Sequence, residues 1–223
     1  MTIFPGLAKR TGARARRLLV VCLAPVAMVC TARDPSPIDA EWRDDFERGE
    51  LGDNYRPTAE QYAIVNGALS AGGAYNHPLW LRRKLPDRVA IEFDCWSNSA
   101  DGDIKVEIVG DGRSHARDRG QYTSSGYVAV MGGWNNSKSI LARGNEHGTQ
   151  VESRVQPKVE KGRKYHWKIV RDRESIRWFV DDMNSEFLSL DDPHSPTESG
   201  YFAFNNWASD SWFDNLRISP LEP

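Results

Sequence analysis

The sequence is short of cysteine, of long apolar runs and of helical periodicity, and each shortage excludes something. It holds three cysteines, Cys22, Cys30 and Cys95. The first two fall within or at the end of a leader-like segment, so only Cys95 is left for the body, and a lone cysteine makes no internal bridge. The fold therefore has to stand on its apolar core. In VAIEFDCW, Cys95 alternates with Val89, Ile91 and Phe93, which marks it as a small core hydrophobe rather than a reactive thiol. The apolar run at residues 18–29 (LLVVCLAPVAMV) is 12 residues long, short of the roughly 20 that cross a bilayer. There are no heptads, no phosphate-binding glycine-rich loop, no Cys/His spacing of a zinc site and no propeller repeat.

Acidic residues are missing from the first 33 positions, where six basic side chains stand: Lys9, Arg10, Arg14, Arg16, Arg17 and Arg33. A basic stretch followed by a short apolar run has the dimensions of a secretory signal. Two fates are open for residues 1–33. Cys30-Thr31-Ala32 offers small residues for ordinary signal cleavage before Arg33. Alternatively, Val26 to Cys30 serves as a lipobox, with a lipid on Cys30 as the only membrane attachment. Without the leader, 23 basic residues face 31 acidic ones, a balance near −8. Such a body does not suit a nucleic-acid backbone, whose phosphates are neutralised by Lys and Arg. It is compatible with neutral sugars and with cations. The proline-stiffened DPSP opens a short linker at residues 34–40.

What is present is alternation. From WRDDF at 42–46 to WFDNLRI at 212–218, apolar residues recur at period two in about a dozen short runs separated by turn signals. Asn66-Gly67 interrupts YAIVNGAL as a hairpin or bulge signal. YHWKIV (165–170) and SIRWFV (175–180) flank a four-residue turn. Tyr165, Trp167 and Ile169 share one face of the first strand, and Ile176, Trp178 and Val180 share one face of the second. Cross-strand pairs of this kind contribute about 0.2–1 kcal/mol each, and these rings are expected in the core. The pattern predicts an all-β sandwich or barrel.

WRDDFE, YAIVNGALSA, IEFD, GYVAVMGG, KYHWKIVRDRESIRWFVDD, GYFAFNN and WFDNLRI together resemble the concanavalin A-like lectin/glucanase superfamily. The nearest in style are laminin-G-like and 3-keto-disaccharide hydrolase-like jelly rolls. The resemblance spans residues 41–220 and implies an antiparallel two-sheet jelly-roll sandwich for residues 41–223. It does not choose an activity, because this fold carries lectins, glycosidases, lyases and adhesion modules.

Three sets of site residues follow. Alternation places Glu92 and Asp94 on one face of their strand. The resemblance to laminarinase-like enzymes implies carboxylates in E-x-D-x-x-E order there, but Trp96 and Ser97 occupy the region of the third, which leaves Glu107 on the following strand as the substitute. The plainer reading makes Glu92 and Asp94 a solvated face opposite Lys105. The resemblance also implies a structural Ca²⁺ held by Asp44 or Asp45 near the start and Asp214 near the end, whereas Asp214 and Asn215 can equally cap a turn. The third set is a sugar face. Rings of Trp and Tyr stack on sugars, and loops at strand ends run over the surface. AYNHPLW supplies Tyr75, Asn76, His77 and Trp80, GGWNN supplies Trp134 and Asn135, and NNWASDSW supplies Asn206, Trp207, Asp210 and Trp212. No two histidines stand at metal-ligand spacing. His77 and His147 would meet only through the fold, Asp101 and Asp103 are unassigned, and His115 lies in a charge-dense, solvated stretch.

The expectation is a non-catalytic, secreted or surface-tethered glycan-binding module. The alternatives are a glycoside-cleaving enzyme and an adhesion module that binds protein. Two of Trp80, Trp134 and Trp207 in one groove favour sugar. Two carboxylates or a His/Asp pair beside them favour an enzyme. A flat apolar patch favours a protein partner.

Overall fold

A computed structural model describes residues 35–118, 122–195 and 200–222. The expected leader, with Cys22 and Cys30, lies outside the described residues. Among the described residues no helix is long and apolar enough to cross a membrane.

The expected sandwich is what forms: two antiparallel sheets with one core. The first sheet holds β1 (Trp42–Asp44), β3 (Ala63–Val65), β4 (Ala68–Ser70), β6 (Arg88–Ser97), β11 (Tyr165–Asp172), β12 (Ser175–Val180), β13 (Glu186–Asp191) and β15 (Ser211–Pro220). The second holds β2 (Tyr55–Pro57), β5 (Leu79–Leu81), β7 (Ile104–Gly110), β8 (Tyr127–Gly132), β9 (Lys138–Arg143), β10 (Val151–Arg154) and β14 (Tyr201–Asn205), with one helical turn, α1 (Gly133–Asn136), between β8 and β9. The strand order is β13-β12-β11-β6-β15-β4-β3 in the first sheet, with β1 also on β15, and β10-β9-β8-β7-β14-β5-β2 in the second.

Period-two alternation builds the core. On β6, Val89, Ile91, Phe93 and Cys95 point inward and are buried. Across the gap, β14 contributes Phe202 and Phe204. With Phe213 of β15 these rings form a cluster whose centroids lie 4.5–6.0 Å apart, within the range of favourable aromatic pairs. The β11–β12 hairpin pairs Asp172 with Ser175 across its turn, and Arg173 takes a positive φ. Its inward rings are core as expected: Trp167 and Trp178 lie 4.4 Å apart and are fully buried. Asn66-Gly67 is a hairpin turn that joins Val65 to Ala68. Its φ values of 52° and 74° suit the primed turn that matches strand twist. A side chain at Gly67 would meet the Glu47 carboxylate at 2.7 Å.

Two placements differ from expectation. Ile38, expected in the linker, is buried in the core, and its N–H donates to the Lys84 carbonyl at 3.0 Å. An apolar side chain beside the prolines docks rather than tethers. Also, β6 and β7 are consecutive in sequence but lie in different sheets. Lys105 therefore does not face Glu92 and Asp94; the partners of those carboxylates come from β11 and β15.

Candidate functional site

The site is built on β7, the middle strand of the second sheet. Ile104, Val106 and Ile108 enter the core, so Lys105 and Glu107 rise from the sheet's outer face. Beside them Val128, Val130, Ile140 and Ala142 of β8 and β9 form a small apolar floor, against which Trp134 packs. Loops from the strand ends close over this surface and leave a groove of about 810 Å³.

Lys105 is 3% exposed. Its Nζ donates to Asn76 Oδ1 at 2.9 Å and lies 2.9 Å from Glu146 Oε2, so the loop before β5 and the loop after β9 meet on one ammonium. Burial favours the neutral amine, but the Asp103 and Glu146 carboxylates outweigh it and hold Lys105 above the usual lysine range. Asp103 ends the turn before β7. It accepts the Trp207 N–H on Oδ2, and its backbone carbonyl accepts the Ser209 and Ser211 hydroxyls at 3.0 and 3.2 Å. Burial raises the Asp103 carboxyl, and Lys105 opposes that rise.

Glu107 lies one repeat further along β7 and is fully buried. The Tyr122 and Ser124 hydroxyls donate to Oε2 at 2.8 and 2.7 Å, and Asn205 Nδ2 donates to Oε1 at 2.9 Å. These donors stabilise the anion, yet burial dominates and the carboxyl is pushed up to about 7. Tyr122 and Thr123 form part of the groove wall.

Two tryptophans face the groove. Trp134 sits in α1 with φ 52° and ψ 57°, and Asn135 and Asn136 continue in the same left-handed region. Asparagine tolerates that conformation; tryptophan does not, at a cost of order 1–3 kcal/mol. The turn is held by Asn136, whose side chain exchanges two hydrogen bonds with the Val159 backbone. The strain presents the indole to the groove, with Lys138 Nζ 4.2 Å from its ring centre and the His147 ring edge-on at 5.4 Å. Trp207 meets Tyr75 edge to face at 5.2 Å.

Of the expected sugar-face residues, Asn76, Trp134, Asn135 and Trp207 line the groove, and the Tyr75 ring packs edge to face on Trp207. The others do not serve there. Trp80 is fully buried under the segment after β7, its indole N–H donating to the Ser114 carbonyl at 3.0 Å, so no sugar reaches its ring. Asn206 is buried too. Its amide accepts the Ala74 N–H and donates to the Ala71 and Ser209 carbonyls, which makes it a loop brace. Asp210 accepts the Trp212 indole N–H at 2.7 Å and is not in the groove. His77 folds back on the Ala74 and Tyr75 carbonyls and stacks on His115 at 5.8 Å. His147 instead pairs with Trp134.

Glu92 and Asp94 lie on the outer face of the first sheet, the opposite side of the sandwich from Glu107. Glu107 therefore cannot supply a third carboxylate to them. Glu92 pairs with Arg217 at 2.6 Å, and Asp94 contacts His166 Nδ1 and Asn215 Nδ2, each at 2.8 Å. Glu92, His166, Asn215 and Arg217 border a second hollow of about 550 Å³ with Arg43 and Arg48. Asp44 is spent on both Nη atoms of Arg48 and on the Tyr55 hydroxyl. Asp45 accepts the Glu47 N–H, and Asp214 accepts the Asn215 N–H and lies 3.7 Å from Lys164. Among the described residues no group of three or more His, Cys, Asp or Glu side chains converges as a metal-binding set.

Sequence reasoning passed over Tyr122 and Glu146, set Lys105 opposite Glu92 and Asp94, and left Asp103 unassigned. A signal existed. In DIKVEIV the charged residues Asp103, Lys105 and Glu107 share one face of a strand whose other face is wholly apolar, a run that belongs at mid-sheet.

No protein-family model matches the sequence, and no curated protein matches it. Solved structures do. A carbohydrate-binding module from Bacillus subtilis aligns over 76% of this chain and 98% of its own at TM-score 0.58 and 14% identity. A β-glucanase of Bacillus licheniformis aligns over 82% and 99%, at 0.58 and 10%. A Bacillus subtilis protein with a galectin-like fold aligns over 80% and 94%, at 0.63 and 11%. At these identities the likeness speaks to fold, and the fold is the concanavalin A-like jelly roll.

Proposed function

We propose that this concanavalin A-like jelly roll is an extracytoplasmic carbohydrate-binding module that holds a glycan in the groove over β7. One observation carries the reading: Trp134 and Trp207, from loops some seventy residues apart in sequence, open onto one groove whose floor mixes apolar β8–β9 side chains with Asn76, Asp103 and Glu146. Flat rings beside a few converging polar groups are what a sugar needs, since its C–H faces stack and its hydroxyls pair. The strained backbone at Trp134 points the same way. Strain persists where surrounding structure over-determines it, and it gathers at binding sites. The solved neighbours, a carbohydrate-binding module and a glucanase among them, agree with a glycan ligand.

A specific observation favours a second reading, glycoside cleavage. Asp103 and Glu146 flank Lys105 in the same groove, and Asp103 is biased toward its protonated form by burial. A paired acid and carboxylate is the general requirement of glycosidases. Glycan-array binding of the purified protein, with Trp134→Ala as control, tests the first reading. Binding that the substitution abolishes supports it, and no binding, or equal binding by the variant, removes it. Release of reducing ends from a bound glycan, lost in Asp103→Asn, would put the second reading in its place.

A further inference from the structure

The charges around the groove are one-sided. Its buried cation is closed off, because Lys105 is committed to Asn76 and Glu146 and is 3% exposed. An anionic ligand would have to break that arrangement to reach the ammonium. The charged lining group left open to a ligand is a carboxylate. Asp101 is exposed and has no protein partner among the described residues. Asp103 and Glu146 stand on either side of Lys105, and Glu107 lies further along the same strand face. Three lining carboxylates outnumber one sealed ammonium, and a recess with a negative excess focuses its field on the ligand. Lys138 and His147 attend the rim, and both are engaged with the Trp134 ring.

The aromatic wall is suited to the same kind of ligand. The negative face of an indole attracts cations, and Trp134 already holds the Lys138 ammonium at 4.2 Å. Indole rings set among carboxylates are a general solution for an organic ammonium group. We infer, resting on the carbohydrate-binding reading, that the groove selects glycans bearing free, protonated amino groups, of the 2-amino-2-deoxy sugar type, over N-acetylated sugars and over uronates or sulfated sugars. The sugar rings stack on Trp134 and Trp207, and the ammonium lies toward Asp101.

Titration calorimetry at pH 6, where the sugar amine is protonated, tests this with glucosamine hexamer, its N-acetylated counterpart and an oligogalacturonate. The glucosamine hexamer binds about two- to fivefold tighter than the acetylated one, the scale of an exposed ion pair. That preference shrinks in 0.5 M salt through screening. It is lost in Asp101→Asn, an exposed site whose change leaves the fold alone, while binding of the acetylated hexamer persists. Equal affinity for the two hexamers, preference for the uronate, or an unchanged preference in Asp101→Asn overturns the inference and leaves the glycan reading standing. Binding of some other neutral glycan without any glucosamine binding does the same. If no glycan binds, both fall together.

Discussion

Replacing Glu107 by Gln should remove a pH dependence of stability that the fold has built in. The native carboxyl titrates near 7, against 4.5 for an ordinary glutamate. Between those values the unfolded chain ionises first, so the native state holds the extra proton. Glu107 therefore contributes its full stability below pH 4.5 and loses it as pH rises through 7. At 1.36 kcal/mol per unit the loss amounts to about 3 kcal/mol, and because the carboxyl is fully buried solvent does not screen it away. Glutamine keeps the shape and an acceptor for Asn205, and the Tyr122 and Ser124 hydroxyls can rotate to accept its N–H. Urea unfolding of both proteins at pH 4, 6 and 8 measures the effect. The wild type should lose about 3 kcal/mol relative to the variant between pH 4 and 8. Parallel stability curves would refute the argument that burial, rather than hydrogen bonding, governs this carboxyl.

Three further outcomes follow from the packing. Trp178→Ala should destabilise by about 3–5 kcal/mol in urea, and Trp178→Phe by much less, because the buried indole N–H has no partner to lose. Asn206→Ala strips partners from one backbone N–H and two carbonyls in a buried loop, and should cost about 3 kcal/mol or more. Trp134→Gly relieves the left-handed backbone while deleting the ring, so its stability should stay within about 1 kcal/mol of the wild type while glycan binding is lost on the array.

The architecture was legible because one physical rule, the flip of side chains at each strand residue, governs every strand. The β11–β12 hairpin and the buried Cys95 followed from it, while the Asn66-Gly67 turn followed from that dipeptide's tolerance of positive φ. The site was legible only where a residue type conflicted with its local setting. Trp134 and Trp207, large rings in loops of glycine and asparagine, were visible in that way. Trp80, Asn206 and Asp210 were not, since what covers a loop side chain is decided by segments far off in sequence. The 111–118 segment hides Trp80 in that manner. Glu92 and Asp94 were placed correctly on one strand face, but which sheet faces which is a matter of topology, and the crossover between β6 and β7 sent Lys105 and Glu107 to the other side.

The indole N–H resonances of the eight tryptophans test the central claim most directly, when followed by two-dimensional NMR during titration with a glycan. The groove predicts that the Trp134 and Trp207 signals move together along a single saturation curve, while those of buried Trp167 and Trp178 stay fixed. Movement confined to Trp96 and Trp212, which stack on the outer face of the other sheet, would place the glycan on the wrong side of the sandwich and contradict the account.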